Sequence, residues 1–136
     1  MRKYILKNRK YFIIENMQTT KQKGDLWEVM AIKFLQKHGY KIIDSNYKFG
    51  RFWEIDVIAE KYGIYFFIEV KYRSNDKYWT AEESITKSKL FKLEKSIYSY
   101  CMKNKIDLEN IKFNVITITK GNTSYRIKHY KNIDLS

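Results

Sequence analysis

The sequence predicts an α/β fold, a mixed β-sheet flanked by helices in the order α-β-β-β-α-β-β. Two segments with apolar residues at helical spacing are separated by three runs rich in Ile, Val, Phe and Tyr. Two further runs of that kind follow the second helix, and helices interleaved with strands pack most simply as a sheet covered by helices. With 136 residues, 44% hydrophobic and 17% aromatic, the chain suffices for one domain with a real core and is short for two.

The start of the chain stands apart. Arg2, Lys3, Lys7, Arg9, Lys10, Lys21 and Lys23 face only Glu15 within residues 1–24, which hold half of the net charge of +12. Residues 1–16 form a basic N-terminal extension, either an arm for nucleic acid or an appended start, and 17–136 a single domain holding every expected strand. The first helix runs from Lys21 or Asp25 to His38, with Leu26, Val29, Met30, Phe34 and Leu35 at helical spacing and Gly39 as its stop. A strand follows at 41–45. Residues 52–59 and 64–72 form an antiparallel hairpin around the turn at 60–63. Thr80 and Glu83 make a capping box that opens a long helix through Ile85, Leu90, Leu93, Ile97 and Cys101 to about Asn104. Residues 111–119 and 124–130 are two further strands around a turn at 120–122.

Charge narrows the class of partner. With 27 Lys and Arg against 15 Asp and Glu, the chain attracts polyanions, nucleic acid first among them; a lysine-rich solvated surface accounts for the same excess. A single cysteine, Cys101, excludes an internal disulfide and a cysteine-rich zinc site, and fits a reducing compartment. The absence of a run of ~18 apolar residues and of a signal-peptide pattern gives the expectation of a cytoplasmic protein with no membrane partner. His38 and His129 lack metal-like spacing.

The stretch "EIDVIAEKYGIYFFIEVK" carries the chemistry. It sets Glu54, Asp56, Glu69 and Lys71 within two apolar strands. Alternation puts Glu54 and Asp56 on one face, with Trp53, Ile55 and Val57 on the other, and Glu69 and Lys71 together on the next strand. In a tight hairpin those charged faces can coincide. Carboxylates meeting at ~4 Å repel by about 4 kcal/mol per pair at an effective dielectric of 20, so three acids beside one lysine call for a divalent cation. Mg²⁺ suits such a site, as a hard ion that keeps water and phosphate oxygens among its ligands. A solvated hairpin with an Asp56–Lys71 salt bridge accounts for the same residues without a metal.

"WEIDVIA" followed by "FIEVKYR" resembles the core of the PD-(D/E)XK nuclease superfamily, the restriction-endonuclease-like fold. With "GDLWEVMA", "GYKIIDSN" and "ITKSK", residues 17–133 resemble more closely the YraN-like family of small bacterial predicted endonucleases, related in fold to archaeal Holliday junction resolvases. The resemblance implies Asp56, Glu69 and Glu28 as metal ligands, Lys71 as the catalytic lysine, and Glu54 as an auxiliary acid. It places Lys89 against phosphates, and Arg73, next to Tyr72, along a nucleic-acid groove. Glu28 has a second account, as an acid in the first turn of a helix capped by Asp25. Trp27 and Trp53 depart from the family, which carries glycine before each glutamate, and Asn114 stands where an acid is common.

The resulting expectation is a Mg²⁺- or Mn²⁺-dependent endodeoxyribonuclease acting on branched or duplex DNA in repair or processing, with a homodimer implied by the kinship with resolvases. The alternative is a nucleic-acid-binding module that keeps the fold without turnover.

Overall fold

The structure, a computed structural model, describes residues 2–7, 20–51, 53–73 and 87–133. In chain order the elements are β1 (Arg2–Lys7), α1 (Thr20–Lys37), β2 (Lys41–Phe49), β3 (Trp53–Lys61), β4 (Ile64–Arg73), α2 (Lys87–Asn104), a 3₁₀ turn at Leu108–Asn110, β5 (Ile111–Lys120) and β6 (Ser124–Tyr130). From α1 onward this is the expected α-β-β-β-α-β-β succession. The strands form one mixed sheet in the order β1-β6-β5-β4-β3-β2, with β4 and β5 parallel and every other neighbour antiparallel.

β1 corrects the expectation that every strand lies beyond residue 17. It pairs antiparallel with β6, Arg2 opposite His129 and Lys7 opposite Ser124. Ladder bonds are made by backbone, so a basic segment can close a sheet edge without contributing the hydrophobic alternation by which strands are recognised.

Local sequence explains the junctions that hold the site in place. α1 ends in a Schellman arrangement, with the Tyr40 N–H donating to Leu35 O at 3.0 Å and the Gly39 N–H to Gln36 O at 3.1 Å. Gly39 takes φ +88°, a left-handed conformation that glycine adopts without strain. Lys61 Nζ then donates to His38 O at 2.8 Å, a cation on the C-terminal end of the helix. The β3–β4 hairpin turns through Tyr62 and Gly63, both at positive φ, between the paired residues Lys61 and Ile64, which is the two-residue turn that suits twisted strands.

The helices cover opposite faces. Trp27, Met30, Ala31, Phe34 and Leu35 of α1 pack with Val57, Ala59, Ile68, Ile116, Ile118, Tyr125 and Ile127. Leu93, Ile97, Tyr100 and Cys101 of α2 pack with Ile55, Ile58, Phe67, Phe113 and Val115. A polar link lies within the core: Asn114 Nδ2 donates to His129 Nε2 at 2.9 Å, while Asn114 Oδ1 accepts from the Asn132 N–H at 2.9 Å. His129 is thereby a core residue. The expected capping box of Thr80 and Glu83 lies outside the described residues. Among the described residues no helix is long and apolar enough to cross a membrane.

Candidate metal centre

The site begins where the β3–β4 ladder stops. Pairing runs from Lys61 opposite Ile64 to Val57 opposite Ile68, and the next step in that register would set Asp56 against Glu69. Instead the Val70 N–H donates to Asp56 Oδ2 at 2.8 Å, so a side chain takes the place of a backbone acceptor. The expected alternation on β3 breaks here too. Trp53 and Ile55 pack on the α2 side and Val57 on the α1 side, so Val57 does not share a face with Ile55 as expected. A rung replaced by a carboxylate reorients the strand, and no count of two along the sequence reveals that.

Three carboxylates converge at this break. Glu28, Glu54 and Asp56 each present an oxygen, and the three oxygens lie within 4.8 Å of one another, all half-buried. Glu28 reaches the group from α1. The helix begins at Thr20 and has no acid in its first turn, so Asp25 is not its cap and Glu28 sits too deep to act as one. The capping account of Glu28 is therefore overturned. Glu54, expected in an auxiliary role, is a full member of the cluster.

Glu69 and Lys71 stand beside the cluster. On β4, Phe66, Ile68 and Val70 pack on the α1 side and Phe67 on the α2 side, and alternation assigns Glu69 and Lys71 to the α2 side as well. Glu69 is 9% exposed, and its Oε1 accepts from Lys71 Nζ at 3.2 Å. Lys71 thus pairs with Glu69, whereas the metal-free account paired it with Asp56. Glu69 Oε2 is buried and accepts from no N–H or hydroxyl, and the carboxyl within hydrogen-bonding reach of Glu69 is that of Asp56.

The electrostatics follow from burial and crowding. Asp56 is pushed up to about 8, first by desolvation and then by the charge of Glu69, with smaller contributions from Glu28 and Glu54; the Val70 N–H pulls the other way. Glu69 is also raised by burial, while Lys71 and, more weakly, Lys89 act to lower it. Lys89, on the first turn of α2, is therefore within electrostatic reach of the acids.

Arg73 does not lie along an open groove. It is 7% exposed, drawn in at the end of a strand paired on its β5 side as far as Thr119. Its neighbour Tyr72 is 39% exposed and stacks on Trp27 with ring centroids 4.2 Å apart and planes 6° from parallel. Trp27, 8% exposed, thus packs into the α1-side core beside Glu28, and Trp53 packs on the α2 side. The stack was hidden in the sequence because its partners are 45 residues apart on different elements.

The donor set fits a hard divalent ion: clustered carboxylate oxygens, one further buried carboxylate oxygen, and a neighbouring lysine that leaves a net negative centre. The site can gather such an ion and hold a cation over an adjacent anionic group.

Residues 27–118 match the model of the uncharacterised protein family UPF0102. A UPF0102 protein of Sulfurihydrogenibium sp. is 34% identical over 108 residues, covering 79% of this chain and 92% of the relative. One from Aliarcobacter butzleri is 42% identical over 89 residues, covering 65% and 79%, and one from Dichelobacter nodosus is 34% identical over 115 residues, covering 85% and 90%. The matched segment contains every one of the acids and lysines gathered at the break between β3 and β4, and the chain belongs to the uncharacterised protein family UPF0102.

Proposed function

We propose that this protein is a metal-dependent nuclease that hydrolyses phosphodiester bonds in DNA. The observation that supports it is the convergence of Glu28, Glu54 and Asp56 to within 4.8 Å beside the Glu69–Lys71 pair. Were all three ionised, carboxylates at that spacing would repel by about 3 kcal/mol per pair at an effective dielectric of 20. A fold that keeps them together is one that expects a cation. The resemblance to PD-(D/E)XK nucleases makes Glu28, Asp56 and Glu69 metal ligands and Lys71 the catalytic lysine, with Glu54 as an auxiliary acid.

Glu28, Glu54 and Asp56, with Glu69 through its buried oxygen, are the residues that would hold Mg²⁺ or Mn²⁺. Such an ion lowers the pKa of water and polarises a phosphoryl oxygen. The chain supplies the rest. Lys71, held by Glu69, offers positive charge to the scissile phosphate, where negative charge grows in the transition state. Lys89 and the overall charge of +12 draw the polyanion in.

The test is cleavage of branched, duplex and single-stranded DNA in Mg²⁺ or Mn²⁺, run beside binding in Ca²⁺. Cleavage should depend on the metal and vanish in Asp56→Asn. Wild-type protein that binds these DNAs but cuts none, with metal occupancy established, sinks the nuclease reading and leaves a nucleic-acid-binding module.

A further inference from the structure

α2 carries two apolar faces where a surface helix needs one. Leu93, Ile97, Tyr100 and Cys101 lie against the sheet. Phe91, Tyr98 and Met102 form a second row on the opposite face at 59%, 54% and 59% exposure. With Phe49 at the end of β2, 38% exposed, Phe91 and Tyr98 line an open groove of about 520 Å³ bounded by Glu94, Lys95 and Ser99. Lys95 Nζ lies 4.4 Å from the Phe91 ring centroid, a cation resting on an aromatic face.

Three features say what covers this groove. Its apolar walls are aromatic, which suits a flat π-system. The helix beside it is basic, although Lys95 and Glu94 balance along the groove itself: α2 carries Lys87, Lys89, Lys92, Lys95 and Lys103 against Glu94 alone, and a chain of net +12 repels a second copy of itself while attracting a polyanion. It also lies towards the cluster's end of the β2–β3 pair. Phe49 pairs with Trp53 and Lys48 with Glu54, so the groove opens at the cluster's end of β3. Lys89, two residues before Phe91, acts on Glu69.

We propose that the groove is a stacking platform for unpaired bases of a nucleic-acid strand whose phosphates follow the α2 lysines towards the acids. Bases inside a duplex have both faces occupied by their neighbours, so only a single-stranded segment can use the platform. This deepens the nuclease reading and rests on it: the substrate class becomes nucleic acid with a single-stranded stretch beside the scissile phosphate.

The test uses the full chain in Ca²⁺, so that binding is read without cleavage. The probes are an oligothymidylate with an internal 2-aminopurine and a fully paired hairpin closed by a non-nucleotide linker. Phe91→Leu with Tyr98→Leu keeps the surface apolar and removes the π-faces; Phe91→Leu alone serves if the double variant melts early. Wild type should change the 2-aminopurine emission on binding. The leucine variant should lose that change and bind the single strand about tenfold or more weakly, while the hairpin affinity stays within about twofold. Equal affinity of wild type and variant for the single strand overturns the proposal. So does an equal loss for both probes, or a wild-type dimer in sedimentation that the variant dissolves, which makes the row a seam between copies. Cleavage by wild type in Mg²⁺, read apart from the emission change in Ca²⁺, keeps the two readings distinguishable. Failure of wild type to cut any DNA counts against the nuclease reading alone.

Discussion

The Val70 N–H donates to Asp56 Oδ2 at 2.8 Å across two strands whose ladder has already parted. That bond fixes the carboxylate at the mouth of the gap, where Glu28 arrives from the helix and Glu54 from one strand position earlier on the same side. The carboxylate cluster therefore depends on a defect in the sheet. Had the register continued, Asp56 and Glu69 would face each other as an ordinary cross-strand pair and Glu28 would have no carboxylates to meet.

Burial and neighbouring charge set the response to pH. Asp56 titrates at about 8 in the folded protein against 3.8 ordinarily, and Glu69 is raised as well. Between those values the unfolded chain has released protons that the folded protein keeps. Stability of the metal-free protein should thus fall as pH rises from about 4 to about 8, then level off. Asp56→Asn retains an oxygen for the Val70 N–H and carries no proton to lose. Its melting temperature should fall less across that window and exceed that of wild type at the alkaline end. A wild-type melting temperature that climbs from pH 5 to 8, in chelator, contradicts this assignment.

A divalent ion should reverse the trend. It competes with the proton on Asp56, so its apparent affinity should rise as pH approaches 8. Mn²⁺ at a hundredfold excess over its Kd should add about 2.7 kcal/mol of stability, seen as a rise in melting temperature. Asp56→Asn should abolish that rise, and Glu54→Gln should weaken it. If Glu54→Gln responds to Mn²⁺ as wild type does, Glu54 is outside the coordination sphere despite its position.

Much of this was legible in the sequence, for identifiable reasons. The hairpin was readable from "EKYG", because a two-residue turn with Gly63 leaves little freedom in register. Glu28 was ambiguous. Asp25 makes a good cap, and only the helix's start at Thr20 shows that Glu28 is interior. Alternation brought Asp56 and Glu54 together correctly and failed at Val57, because a side chain had replaced a ladder acceptor. Arg73 looked like a surface cation and is 7% exposed at the end of β4, while Tyr72 beside it, paired with β5 in the same way, is 39% exposed.

Under the nuclease reading, Lys71 should separate catalysis from binding. Its ammonium pairs with Glu69 at 3.2 Å, so Lys71→Ala removes a cation from the acids without removing an acid. Metal should bind at least as well, since the centre becomes more negative. DNA affinity in Ca²⁺ should fall only by about one phosphate's worth of charge neutralisation, whereas cleavage should drop on the order of a hundredfold, because the charge is needed most in the transition state. Parallel losses in binding and cleavage would make Lys71 a docking residue. The measurement is single-turnover cleavage beside anisotropy.

β1 brings the last expectation. It is an edge strand paired with β6, and the other strands and both helices among the described residues lie beyond it in the chain. Deleting residues 1–16 should therefore leave a cooperative melt. It also strips the partner from β6, whose Ser124–Tyr130 backbone would then present open donors and acceptors along one side. Such an edge templates pairing with another chain, so the shortened protein should show concentration-dependent association beyond that of the full chain. Removing the arm's basic excess should also flatten the salt dependence of DNA binding, by about one unit of slope for each phosphate that the arm neutralises. Sedimentation and calorimetry decide the structural half. A shortened protein that associates no more than the full chain and melts like it would show β1 to be dispensable. One that no longer melts cooperatively would show it to be integral to the sheet.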